Sequence, residues 1–138
     1  MPVITPEIAQ QTLEFLKFVP KHQIATVKEM LDGEESSFFS DKINELGKTI
    51  MEMPVTYEQD GKGDDAIVYL HYFSAACDWW ITEKDVEGGV QQAFGLASLN
   101  GNRPELGYIS ILGLVALTQV EIDFHWTPKT LREVKNGR

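Results

Sequence analysis

The chain has 138 residues, 43% of them hydrophobic and 24% charged, which is globular composition and excludes a disordered tail. Twenty-one acids against twelve bases leave a net charge of −9. With no basic stripe to neutralise phosphates, the charge argues against nucleic acid as a direct partner. No apolar run approaches the roughly 18 residues of a membrane span, and the N-terminus lacks the basic and apolar regions of a signal peptide. Cys77 is the single cysteine, so an internal disulfide and a multi-cysteine metal site are excluded as well. One domain over residues 1–138, in the cytoplasm, is expected, with no cofactor and no metal.

In chain order, Thr5-Pro6-Glu7-Ile8 reads as a helix start: a Thr cap, Pro at the first helical position and an acid near the positive helix end. Ile8, Thr12, Phe15, Leu16 and Val19 continue at helical spacing up to Pro20. A second helix is expected from about His22 to Leu31, with Ile24, Val27 and Leu31 on one face and Asp32-Gly33 as its stop. A third starts at a Ser36 or Ser37 cap and runs to about Met53. Phe39, Ile43, Leu46, Ile50 and Met53 form its apolar face, with Gly47 weakening it and Pro54 at its end.

Gln59–Asp65, rich in Gly and Asp, is a mobile turn by composition, and beyond it the period changes from helix to strand. Ala66–Phe73, Asp78–Glu83, Ala93–Leu99, Leu106–Ile111 and Val120–Trp126 are strand-like runs separated by hairpin-loop material. Leu112–Thr118 reads as a short helix or a crossover loop. Helices first and strands afterwards predict an α+β fold, with N-terminal helices packed on one face of a mainly antiparallel five-stranded sheet. The helical, acidic part spans about 5–60 and the sheet part about 66–131.

Four stretches from Asp78 onward occur in a recognisable order: Asp78–Glu83, Ala93–Leu96, Pro104-Glu105-Leu106-Gly107-Tyr108-Ile109-Ser110, and Glu121–Trp126. With Ile4-Thr5-Pro6-Glu7 at the start, they resemble a family of short bacterial proteins, the domain of unknown function numbered 2958. The resemblance covers residues of about 4–19 and 67–131, and residues of about 21–60 look like an expansion. It implies plasmids, integrated elements and phages as typical settings, and so a bacterial host cytoplasm, but it supplies no reaction.

Charge is concentrated in that expansion. Residues 29–65 hold eleven of the 21 acids and three of the twelve bases, a density that attracts a basic partner surface. The expected partner-binding residues are Glu34, Glu35, Asp41, Glu45, Glu52 and Asp60. The partner is a host protein with a basic, nucleic-acid-binding surface. An anti-defence role, anti-CRISPR or anti-restriction, is the concrete non-enzymatic function that charge and kinship together suggest.

The rival is a small enzyme or ligand-binding domain built on Glu121, Asp123 and His125. These alternate with Val120, Ile122, Phe124 and Trp126 and would line one face of a strand as an acid–base pair. The alternation alone also accounts for them as a solvated face. Trp80, Glu105 and Tyr108 belong to the family's densest stretches and are a possible site. A structural role competes there too, with Gly107 admitting a close backbone or ring. Cys77 has no neighbouring histidine to activate it and reads as an inert thiol. One tryptophan of the adjacent pair Trp79-Trp80 must face each side of its strand.

Overall fold

The computed structural model describes residues 15–32 and 36–137. Most of the helix expected over 5–19 lies outside them. Residues 15–17 are its helical end, and Phe15, Phe18 and Val19 are buried before the chain turns at Pro20. A 3-10 turn at Lys21–Gln23 leads into α1 (Ile24–Asp32), and α2 follows over Ser36–Glu52. Of the expected stripe, Ile43, Leu46 and Ile50 on α2 and Met53 just past its end are buried, as is Gly47, while the side chain of Phe39 lies outside what the structure describes. The Lys84 ammonium finishes the helix by donating to the carbonyls of Ile50 (2.7 Å) and Met51 (3.2 Å), two acceptors that have no partner within the helix.

The sheet strands are β1 (Ile67–Val68), β2 (Leu70–Phe73), β3 (Cys77–Glu83), β4 (Ala93–Leu99), β5 (Glu105–Ile109), β6 (Glu121–Ile122) and β7 (Lys129–Thr130). Five of them form an antiparallel sheet in the order β5-β4-β3-β2-β6, and β1 pairs with β7 in a separate two-stranded sheet. Short helices α3 (Ile111–Val115) and α4 (Leu131–Asn136) follow β5 and β7. The fold is therefore α+β with a mainly antiparallel five-stranded sheet, as the sequence pattern requires. Asn100 and Gly101 both take positive φ (56° and 77°) at the tip of the β4–β5 hairpin, the conformation an Asn-Gly turn supplies.

Three expectations are corrected. The sheet is covered on both faces. Leu70, Tyr72, Ile81 and Ile122 join the helices in the main core, while Trp80, Leu96 and Val68 form a second cluster closed by Leu131 and Val134 of α4. Trp79 packs on the first cluster and Trp80 lies in the second, so the pair divides between the faces. The strand expected over Val120–Trp126 stops at Ile122, because the Asp123 carboxylate accepts from the His125 amide (2.9 Å) and bends the chain into a turn. The segment Gln59–Asp65 is pinned rather than mobile. The buried Gln59 amide donates to Ile67 (2.9 Å) and Thr82 (2.8 Å) carbonyls and accepts from the Ile67 amide (2.7 Å).

Candidate functional site

The face of the sheet away from the N-terminal helices carries two features side by side. Alternation along the strands puts Leu106 and Tyr108 of β5, Phe94 and Leu96 of β4, Trp80 and Asp78 of β3, and His71 of β2 on this face. A β-bulge sits between Ile81 and Glu83, where Ile81 pairs with Gly95 and Glu83 with Phe94. The extra residue, Thr82, re-aims the end of β3 so that Glu83, Phe94 and Tyr108 form one row across three strands.

Glu83 and Phe94 of that row line a groove of about 440 Å³, within the size range of small-ligand sites. Ala66, Leu131, Leu106 and Phe94 give it apolar walls, and the segment 56–63 forms its other side. The Glu83 carboxylate at its floor is only 4% exposed. It accepts from the Thr82 hydroxyl and from the Gln59 backbone N–H, at 3.3 Å in the second case. At the rim the hydroxyls of Tyr57 and Tyr108 are 2.6 Å apart, and Tyr108 packs edge-on against Phe94 with ring centroids at 5.7 Å. The hydrogen bond to Tyr57 is the main cause raising the Tyr108 phenol above its ordinary pKa. Tyr57 holds φ at +81°, a conformation that strains a residue with a large side chain and that clusters at functional positions.

The second feature is an imidazole between two carboxylates. His71 Nε2 lies 2.8 Å from Asp78 Oδ1, and Nδ1 lies 3.3 Å from Asp123 Oδ2. The ring stacks on Trp80 at 5.6 Å with 7° between planes, and Phe73 and Trp126 flank it. Trp126 is itself fixed by a 3.0 Å hydrogen bond from its indole to the Val68 carbonyl and lies under the Lys129 ammonium at 4.6 Å. Among the described residues no group of three His, Cys, Asp or Glu could hold a metal ion.

Of the residues expected as a rival catalytic set, Asp123 turns to His71, whereas Glu121 and His125 are exposed on either side of it. The three do not line a common strand face. Trp80 and Tyr108 share the outer face, but Glu105 pairs with Ala97 and lies on the opposite one. Gly107 has open space where a Cβ would be, so no close approach requires it; the glycine that needs its missing Cβ is Gly95. Cys77 is half-buried, with Sγ 3.9 Å from Asn100 Oδ1.

Glu34 and Glu35 lie outside the described residues. Asp41, Glu45 and Glu52 are exposed along one stripe of α2, which also carries Lys48, and Asp60 is exposed beside the groove. The acidic segment is partly answered from the far end of the chain, since Lys135 bonds Asp64 (2.7 Å) and Arg132 bonds Asp65. Sequence reasoning missed Tyr57 and Glu83. The only signal for Glu83 was a polar Thr-Glu pair closing an apolar strand, and nothing local marks Tyr57.

Fold and site together define an α+β protein whose sheet is backed by helices and whose other face presents a groove and an enclosed imidazole. The chain belongs to the family described as protein of unknown function (DUF2958), whose model matches residues 43–130. The match begins within α2, inside the segment that looked like an expansion, and takes in Tyr57, Glu83, Phe94 and Tyr108. No curated protein and no solved structure matches the chain. Among the described residues no helix is long and apolar enough to cross a membrane.

Proposed function

We propose that this protein is a non-enzymatic binding protein of a phage or other mobile element that occupies a basic surface of a host protein. Inhibition of a nucleic-acid-handling defence complex, by an anti-CRISPR or anti-restriction action, is its concrete form. The mobile-element setting rests on the family resemblance. The observation that supports binding is the rim of the outer-face groove, where Tyr57, Tyr108 and Leu106 are 63%, 53% and 50% exposed around buried Glu83. Tyrosines held in one geometry are typical interface anchors, and acids beside them select a basic partner. The acids of α2 add long-range attraction rather than contact energy.

The test is capture of the partner from host lysate, followed by binding kinetics at low and high salt. The Tyr57→Ala/Tyr108→Ala variant is expected to dissociate faster. Reversal of Glu34, Glu35, Asp41 and Glu45 to Lys is expected to slow association by about tenfold or more at low salt. Salt-independent binding kept in full by both variants overturns the reading.

A second reading, a small enzyme or ligand-binding domain, is favoured by one observation: both ring nitrogens of His71 face carboxylates beside the groove-bearing surface. In it Asp123 orients the imidazole, and Glu121 and His125 have no part. Loss of a measured turnover in His71→Gln, with the melting temperature kept, would support this reading.

A further inference from the structure

We infer that the groove under Tyr57 and Tyr108 receives one arginine side chain of the partner protein, its guanidinium seated against Glu83. This rests on the binding function proposed above and names the group recognised there. The groove's walls carry two carboxylates, Glu83 and Asp60, and no Lys, Arg or His. Glu83 is 4% exposed and is held by two neutral donors, the Thr82 hydroxyl and the Gln59 backbone N–H. The described residues give it no ion-pair partner, although the exposed Asp64 and Asp65 nearby both have one.

A carboxylate removed from water is ordinarily matched by a cation. Two hydrogen bonds leave oxygen lone pairs still open for one. The walls suit the rest of an arginine. Ala66, Leu106 and Leu131 are apolar surface for its methylenes, and the rings of Phe94 and Tyr57 offer faces or edges for the planar guanidinium. Arginine is preferred to lysine because its flat, weakly hydrated head stacks and bonds a carboxylate through two nitrogens at once. An anionic group is disfavoured by both acids, and a neutral apolar group would leave Glu83 unmatched.

The experiment is an NMR titration of the full chain with the peptide acetyl-Gly-Arg-Gly-amide, its citrulline counterpart and phenethylamine. The arginine peptide is expected to shift the amide signals of Phe94, Leu106 and Tyr108 saturably, and the citrulline peptide to bind at least tenfold more weakly. Glu83→Gln is expected to bring the arginine peptide down to the citrulline level. Leu106→Arg, a change at an exposed rim position that places a guanidinium in the groove, is expected to abolish the shifts with the melting temperature unchanged. If Glu83→Gln does not fold, Leu106→Arg decides.

Equal affinity for the two peptides, or arginine binding untouched by Leu106→Arg, overturns the inference. Binding of phenethylamine without the arginine peptide overturns it in favour of a free amine as occupant. If both peptides fail while the partner protein still binds and still depends on Tyr57 and Tyr108, the arginine seat is wrong and the binding function stands. If the partner does not depend on the tyrosines either, both fall.

Discussion

The backbone of Gly95 passes so close to Trp80 that a Cβ on Gly95 would lie 2.0 Å from the Trp80 carbonyl oxygen. The contact falls where β3 bulges against β4, with Ile81 paired to Gly95 and the register shifting by the time it reaches Glu83. The geometry that aims Glu83 into the groove thus depends on a missing methyl group on the neighbouring strand.

Gly95→Ala is therefore expected to be among the most damaging single changes in the sheet. The clash is with backbone, which cannot swing aside, so a loss of about 3 kcal/mol is expected. Gly107→Ala, one strand over and with nothing within 4 Å, is expected to stay within about 0.5 kcal/mol of the parent. Urea denaturation midpoints of the two variants check the contrast. Equal midpoints would remove the account of the bulge.

Tyr57→Gly is expected to separate stability from binding. Glycine takes φ of +81° without strain, a gain of about 1 kcal/mol. The lost hydroxyl contact to Tyr108 is exposed and offsets little of it. Thermal unfolding should show an equal or higher midpoint, while affinity for the partner falls. A lower midpoint would show that Tyr57 is held by more than its hydroxyl.

Tyr72 couples stability to alkaline pH. Its hydroxyl donates to the Phe18 carbonyl, and burial holds the phenol well above its ordinary value of 10.0. With the folded value raised, the stabilisation is fully present below pH 10 and is lost as pH rises above it. Tyr72→Phe is expected to cost about 1–3 kcal/mol at neutral pH, because it leaves the Phe18 carbonyl without its donor. It should also flatten the decline above pH 10. Denaturant titrations of both proteins between pH 7 and 11 measure it.

His71→Ala is expected to cost about 1–2 kcal/mol. It removes the ring stacked on Trp80 and the contacts to Asp78 and Asp123, whose value is reduced by the partial exposure of Asp78. Glu121→Ala and His125→Ala, both at exposed positions, are expected to change stability by less than about 0.5 kcal/mol. A loss at 121 or 125 as large as at 71 would show that these side chains are held by contacts that their exposure does not indicate.

At the C-terminal end, Leu131→Ala is expected to cost about 3 kcal/mol, because Leu131 is fully buried in the second cluster. Arg132→Ala and Lys135→Ala should barely move the midpoint, since their ion pairs with Asp65 and Asp64 are exposed. The hydrogen bond from Lys135 lowers the Asp64 pKa, so what that pair contributes is present above pH 3.8 and fades below it. Calorimetry at pH 3 and pH 7 compares them.

The architecture was legible in the sequence because its periods are local. The stripe Ile43, Leu46, Ile50 and Met53 can be read as a helix face without knowing what it meets, and Asn100-Gly101 announces its own hairpin. Asp123 was misread because alternation over Val120–Trp126 looks the same whether the chain continues as strand or turns on an Asp side chain. The site was largely illegible for a different reason. Tyr57 meets Tyr108 across 51 positions and His71 meets Asp123 across 52, and no spacing rule reaches that far. The pairing of Arg132 and Lys135 with Asp65 and Asp64 of the acidic window was illegible for the same reason.

The closing of the second cluster by α4 also makes the C-terminal segment a cover for the sheet. A chain cut after Ile122 would keep all five strands of the larger sheet but leave Trp80, Leu96 and Val68 without Leu131 and Val134 over them. Such a fragment would expose a contiguous aromatic and aliphatic patch, the kind of surface by which proteins self-associate.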